Sequence, residues 1–451
     1  MIIIRAVVFI FLALFGDLDS NRASAGNKGW LAFGDIRGYL APCGCDPRTD
    51  LGGVERLASF IGAIRRRNSD VDVIHLGNSL HTDDSLKSQT VLDALREIKP
   101  TISLLNRTEY NYLKQKKQWQ PPAVRPWILS HLPQHHPLAA WVDESFETPT
   151  SIYLGYVHGL DDIPMWGTDI QQRFQKQLTL NGSQKQKVLL FAGPDSVLHA
   201  VVASKIFDLI ISSSSIELTQ KPNQLEKEEP GRLLRIQKVY SVPSFGQGAL
   251  LGGGLETDPL LCKRDSKPLT RDHKLFQLSL GCSIFHWLNR DYDNKNVLTS
   301  VMAKYRQQVE HNYRQLVKER KKLLINSQFV GSKACQGCHQ TEYQRWTESQ
   351  HSKAFGTLVE KKSDRDPNCV GCHVLGFDQP GGFVDQETTA HFEHVQCENC
   401  HGPRKKHLAN PFTQDKTSSP SQGAFSTCVS CHHPPHSSHF QLKEYWQKIK
   451  H

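Results

Sequence analysis

Four pentapeptides of one type stand in the last third of this 451-residue chain. They are Cys335-Gln336-Gly337-Cys338-His339, Cys369-Val370-Gly371-Cys372-His373, Cys397-Glu398-Asn399-Cys400-His401 and Cys428-Val429-Ser430-Cys431-His432. Two thiols separated by two residues, followed at once by an imidazole, are the residues needed to attach a c-type haem. The sulfurs form thioethers to the vinyl groups, and the adjacent His turns onto the porphyrin face to ligate iron. The pattern predicts four covalent haem c groups, anchored by Cys335, Cys338, Cys369, Cys372, Cys397, Cys400, Cys428 and Cys431, with His339, His373, His401 and His432 as proximal iron ligands. Paired Cys-x-x-Cys units also build zinc sites. Zinc, however, does not require a His after every second Cys, and all four copies have one.

The second axial ligand separates two chemistries. A second His saturates the iron and suits it to electron transfer, whereas an open position admits a substrate. Eight further His lie C-terminal to the first motif, among them His351, His407, His394 and His451, the candidate distal ligands. The supply exceeds the need, so the sequence demonstrates no open site.

Four cysteines remain outside the motifs: Cys43, Cys45, Cys262 and Cys282. Cys43-Gly44-Cys45 follows Pro42 and precedes Gly52-Gly53, which places it on a loop. It is a candidate catalytic dithiol, or a thiol pair that holds a substrate, since thiolates are the reactive form of cysteine. A structural cysteine pair fits equally. Cys262 and Cys282 form a plausible disulfide in an exported protein, and a buried pair of free thiols is the alternative.

Lys and Arg outnumber Asp and Glu, 54 to 45, giving a net charge of +9 without a long basic block. Arg65-Arg66-Arg67 and Arg320-Lys321-Lys322 read as solvated helix faces, and no nucleic-acid motif accompanies them. Haem propionates give the surplus cations a use. Arg5, the apolar run from Ala6 to Gly16 and the small residues Ala23-Ser24-Ala25 read as a secretory signal. The expectation is therefore an exported, bacterial periplasmic protein with no transmembrane span in the mature chain. Its partners would be redox proteins, either other cytochromes or quinol-linked membrane components, and not nucleic acid.

These groups need a frame to position them. The chain divides into a signal peptide (1–25), a layered α/β domain (26–296), an amphipathic linker helix (297–327) and a haem domain (328–451). Strand-like runs at Trp30–Phe33, Val71–Leu76, Ile152–Val157, Val188–Phe191 and Leu209–Ile211 alternate with helical periodicity at Val54–Ile64 and Val91–Ile98. Gly252-Gly253-Gly254 marks a turn. Leu298, Val301, Met302, Tyr305, Val309, Tyr313, Leu316 and Val317 recur at spacings of mostly three and four, which predicts one long helix. Beyond it the chain is poor in aliphatic residues. It is expected to have little regular structure and to use the haems themselves as its core.

Residues 328–451 resemble the tetrahaem cytochrome c554 / cytochrome c-prime family. The matching stretches are Gly331-Ser332-Lys333-Ala334-Cys335, Trp346, Ser349 to Ala354, Cys369–Gly376, Val395 to Pro403 with His407 beyond, and Tyr445 to His451. The resemblance implies closely packed, mostly bis-His haems that pass electrons between partners, and some relatives keep one five-coordinate haem. Residues 29–255 resemble the 5′-nucleotidase branch of the calcineurin-like metallophosphoesterases, through Gly34-Asp35-Ile36-Arg37-Gly38, Asn78 and Asn106-Arg107. That resemblance implies a dimetal site, but Arg37 and Arg107 stand where the family has His, Asn78 stands for the bridging Asp, and Ser212–Ser215 replaces a Gly-His pair. The fold is thus expected to lack its metal ligands, and these losses argue against phosphoester hydrolysis. The leading expectation is a multihaem electron carrier. The alternative is an oxidoreductase acting on a small inorganic or sulfur substrate, at an open haem or at Cys43-Gly44-Cys45.

Overall fold

The computed structural model describes residues 29–41, 50, 52–116, 126–180, 184–213, 238–241, 248–252, 285–324, 327–412, 424–433, 437 and 440–450. Residues 1–28, read above as carrying a secretory signal, and Cys43-Gly44-Cys45, Gly253-Gly254, Cys262, Cys282 and His451 lie outside these residues. Two units separate, one holding the described residues up to Leu40 and from Gly52 to Asn296, the other those from Val297 onward.

The first unit is α/β, as the alternation of strands and helices predicts. Its described strands form two sheets, ordered β11-β10-β1-β2-β3-β4 and β5-β6-β7-β8-β9. β1 (Trp30–Phe33), β2 (Asp72–His75), β3 (Ile102–Leu104) and β4 (Trp127–Ile128) run parallel, while β10 (Gly248–Gly252) and β11 (Phe285–Trp287) pair antiparallel on the far side of β1. In the second sheet β5 (Phe146–Glu147) is antiparallel to β6 (Ser151–Val157). β7 (Gln186–Ala192), β8 (Leu209–Ser212) and β9 (Lys238–Ser241) continue parallel from β6.

β1 and β6 are buried at every residue, the pattern of parallel strands covered on both faces. The crossovers are helices: α1 (Val54–Arg67), α2 (Ser85–Ile98), α3 (Arg107–Lys116), α4 (Thr168–Leu180) and α5 (Asp195–Ala203). α2 starts where the Asp84 carboxylate accepts the Lys87 amide N–H and ends at Lys99 in the left-handed region. α4 and α5 press Phe174, Leu178, Leu198 and Val201 onto Leu189, Phe191 and Ile210.

Two buried histidines of this unit belong to its core. His75 bonds through Nε2 to Ser79 Oγ at 2.8 Å, and His131 donates from Nε2 to the Val157 carbonyl at 3.1 Å. Burial pushes the His75 pKa down to about 3 and that of His131 down to about 4. Both are therefore neutral in the folded state at pH 6.

In the second unit α6 (Thr299–Lys321) is the long helix that the spacing predicts. The remainder is built of short elements with an apolar cluster beside them. Regular structure is plentiful but short: α7 (Ser332–Cys335), α8 (Gln340–Glu348), α9 (Ala354–Lys361), α10 (Pro367–His373), α11 (Gln386–Thr389), α12 (Cys397–His401), α13 (Lys405–Ala409), α14 (Ala424–Val429) and α15 (Leu442–Ile449). The unit also has an apolar core of its own. Phe329, Phe355, Leu358, Val370, Val374, Leu375, Phe377, Phe383 and Phe392 gather around Tyr313, with Leu316 and Val317 of α6 packed on the cluster. Few aliphatic residues suffice because phenylalanines supply the area, each ring burying much more than a valine. The Tyr313 hydroxyl donates to the Val384 carbonyl at 3.2 Å, and Arg320 lies 3.5 Å from the centre of the Phe377 ring while bonding Asp378 at 3.0 Å. The helix read as a linker is thus a wall of the C-terminal unit.

Two outcomes follow. Truncation of Phe355, which is 1% exposed, to Ala should destabilise the C-terminal unit by about 3–5 kcal/mol in urea titration of the full chain; a cost below about 1 kcal/mol would mean that this cluster is not a core. In the N-terminal unit, His75 and His131 have folded pKa values below the unfolded one, so their contribution is full above pH 6.5 and is lost as pH falls towards 4. The unfolding midpoint should drop across that window, by up to about 1.4 kcal/mol per pH unit for each group, and His75→Gln should flatten the slope. An unchanged slope in the variant would contradict the assignment.

Candidate functional site

The four pentapeptides fold alike. In the first, the amide N–H of His339 donates to the Cys335 carbonyl at 2.9 Å, and in the fourth His432 does the same to Cys428 at 2.8 Å. The second and third lie inside α10 and α12. A single helical turn therefore spans each motif. In such a turn residues i, i+3 and i+4 share one face, so both sulfurs and the imidazole project together. The described cysteines are all free thiols, with no bridge inside or between motifs.

The turns are placed by local chemistry. Asp366 caps α10 by accepting the Asn368 N–H at 3.0 Å, and Pro367 occupies the first turn, where its missing N–H costs nothing. Gln396 and Asn399 form a reciprocal capping box at α12. Glu398, an intervening residue of the third motif, is 2% exposed and binds the approach to the first. Its carboxylate accepts the amide N–H groups of Val330 at 3.0 Å, Gly331 at 2.8 Å and Arg404 at 2.7 Å. Gln396 adds the Ser332 N–H at 2.6 Å, and the Ser332 hydroxyl donates to Cys397 Sγ at 3.1 Å. The sequence reading gave no role to Glu398, Gln396 or Ser332 individually. The one available signal was a Glu inside a motif whose intervening positions are otherwise free.

Sulfurs of different motifs meet. The Cys335 thiol is pushed up chiefly by its neighbour Cys397 and the Cys372 thiol chiefly by Cys431, while Cys428 and Cys431 add to the effect of burial on Cys400. Burial pushes the Cys400 thiol up to about 11.

Two imidazoles bound on opposite sides of one metal, each nitrogen about 2 Å from it, hold their ring centres about 6 Å apart. Two pairs have that separation. His339 and His407 lie 6.3 Å apart, and His351 and His432 lie 6.2 Å apart. Each pair joins a motif His to a candidate distal His, so these residues fit the haem that the pentapeptides imply. The Nδ1 nitrogens of three of these rings have partners, and at His373 and His394 the partner fixes the tautomer. His373 donates from Nδ1 to the Ala354 carbonyl at 2.6 Å, which leaves Nε2 with its lone pair, while His432 Nδ1 bonds Ser437 Oγ at 3.2 Å. His394 differs: its Nδ1 accepts the Phe355 N–H at 3.2 Å, so the neutral ring carries its proton on Nε2. His401 sits at the end of α12, and His451 lies outside the described residues.

The residues singled out in the N-terminal unit do converge, at the C-terminal ends of β1, β2, β3 and β8. Asp35, 1% exposed, accepts from Arg37 Nε at 2.9 Å and from the Asn78 side-chain amide. Asn106 donates to Ser213 Oγ at 2.7 Å and to the Leu76 carbonyl at 3.0 Å, and Arg107 reaches the His158 carbonyl at 2.9 Å. Asp35, Arg37 and Asn78 all have φ between 51° and 55°. The loops keep that shape because Asp35, Arg37 and Gly38 amides donate to carbonyls of Gly77, Asn78 and Ser79. Among the described residues no three His, Cys, Asp or Glu side chains group as a metal ion would need.

Comparison with known proteins separates the two units. In the first, the chain is similar in course to the calcineurin-like phosphoesterase YfkN of Bacillus subtilis (TM-score 0.42, 13% identity, 62% of this chain and 96% of that one). It is similar also to the NAD nucleotidase of Haemophilus influenzae (TM-score 0.38, 13% identity, 49% and 46%). In the second, cytochrome c-554 of Nitrosomonas europaea is 35% identical over an alignment of 96 residues, with 18% of this chain and 41% of that protein covered. The chain therefore spans less than half the length of the curated relative it matches. Residues 334–402, which hold the first three pentapeptides, match the family model for cytochrome c554 and c-prime.

Proposed function

We propose that residues 328–451 carry four covalent haem c groups and that the protein is an exported, periplasmic electron carrier. The observation that supports this most strongly is the shared helical turn of all four motifs, which gathers two sulfurs and an imidazole on one face each time. Cys335 and Cys338, Cys369 and Cys372, Cys397 and Cys400, and Cys428 and Cys431 would hold the groups. When bound, each group supplies a one-electron iron couple whose potential depends on its axial ligands and burial.

The chain's own residues do the rest. His339, His373, His401 and His432 present a nitrogen to the iron. His407 is paired with His339 and His351 with His432, at separations suited to saturating one metal from both sides. Saturation by two His favours electron transfer over substrate binding. Basic residues would balance propionate charge and meet redox partners. Among the described residues no helix is long and apolar enough to cross a membrane. The alternative, turnover of a small inorganic or sulfur substrate, needs an open iron or the Cys43-Gly44-Cys45 pair.

The test is optical. In protein made with a cytochrome-maturation system, His407→Ala and His351→Ala should each convert one haem from low-spin to high-spin, without loss of haem content. Spectra unchanged by both substitutions would remove the pairing. A high-spin component in the wild type that binds a small ligand would favour the substrate-binding alternative.

A further inference from the structure

One peptide group in the C-terminal unit is held by imidazoles at both ends. The Ala354 carbonyl accepts from Nδ1 of His373 at 2.6 Å, and the N–H of the same peptide, belonging to Phe355, donates to Nδ1 of His394 at 3.2 Å. A carbonyl oxygen only accepts and an amide N–H only donates, so the direction of the chain is fixed from His373 through the peptide to His394. The backbone of His394 is held at φ 72°, a region that side-chain-bearing residues rarely enter. Its neighbour Val395 is pinned on both sides, its N–H to the His351 carbonyl at 3.1 Å and its carbonyl to Trp346 Nε1 at 2.8 Å. An unfavourable backbone kept by surrounding bonds marks a position with a task.

We propose that His394 is a positioning residue for His373, acting through the Ala354–Phe355 peptide to strengthen the bond on the Nδ1 side of that imidazole. The inference rests on the haem reading above, in which His373 ligates iron. It also gives His394 a role other than that of a distal ligand, since its Nε2 carries the proton. A peptide whose N–H is already donated is a better acceptor at its carbonyl, by about 10–30% per bond in a polarised chain. A stronger acceptor on Nδ1 makes the ligating nitrogen more basic, and a more basic ligand favours oxidised iron. His394 therefore holds the potential of the haem at Cys369 and Cys372 below the value it would otherwise have.

The Phe355 N–H lies in the first turn of α9, where it has no acceptor within the helix, so His394 also acts as a cap. A cap alone would affect stability and leave the potential unchanged, and a redox titration separates the two roles. His394→Gly removes the acceptor and tolerates the positive φ. His394→Asn tolerates it too, and its Oδ1 can take the same N–H. In an optical redox titration of the matured full chain, His394→Gly should move one component to more positive potential while the others stay. The expected change is about two- to fivefold in the reduction equilibrium, below the 59 mV of a tenfold one-electron change. His394→Asn should titrate like the wild type. An unmoved titration in His394→Gly, or a new high-spin band in His394→Asn, would overturn the proposal. A haemochrome assay on the same samples distinguishes this from failure of the haem reading, because wild-type protein without haem would fail there first.

Discussion

The second unit depends on a backbone constraint five residues long. When the N–H of a motif His closes onto the carbonyl of the first Cys, two thiols and an imidazole must leave one face of one turn. Four such turns in a short segment leave no freedom for a conventional layered domain. The chain between them consists of caps, short helices and single buried polar residues such as Glu398, each of which fixes where the next turn begins. The phenylalanine cluster around Tyr313 then gives these turns a common wall, provided in part by α6.

The two units hold their polar groups by different means. In the C-terminal unit, imidazoles bond to backbone groups or to a hydroxyl, and where the partner is a carbonyl or an amide N–H, as at His373 and His394, it settles which ring nitrogen keeps a lone pair. In the N-terminal unit, Asp35 takes a guanidinium and an amide, and Asn106 takes a hydroxyl and a carbonyl. In that cluster the neutral Asn78 amide and the Arg37 cation both bond the Oδ1 oxygen of Asp35, at strand ends where an α/β fold commonly binds its ligands.

The strands and helices of the first unit were legible because each carries a clear period, as in the buried run Ser151–Val157 or the three- and four-residue spacing of Val54 to Ile64. The four motifs were legible from spacing alone. The apolar core of the second unit was not, because Phe329, Phe355, Phe377, Phe383 and Phe392 are scattered between turns and follow no helix or strand period. Nor were the roles of His394 and Glu398, since a hydrogen bond to a distant peptide leaves no trace in local sequence. His351 and His407 could be named among several His, but it took their distances to His432 and His339, and the hydrogen bond that His394 accepts from Phe355, to tell them from His394. Cys43-Gly44-Cys45 stays where the sequence left it, a thiol pair without a described surrounding.

The proposed attachment is covalent, with one haem held at each of the four helical turns. Intact-mass measurement of the chain matured with a cytochrome-assembly system tests it most directly, because thioether-bound haem survives denaturation. The account predicts a single species heavier than the mature polypeptide by four haems, reduced to three when Cys369 and Cys372 are both replaced by Ser. A mass equal to the bare polypeptide, or a complex that loses its metal on denaturation, would contradict it.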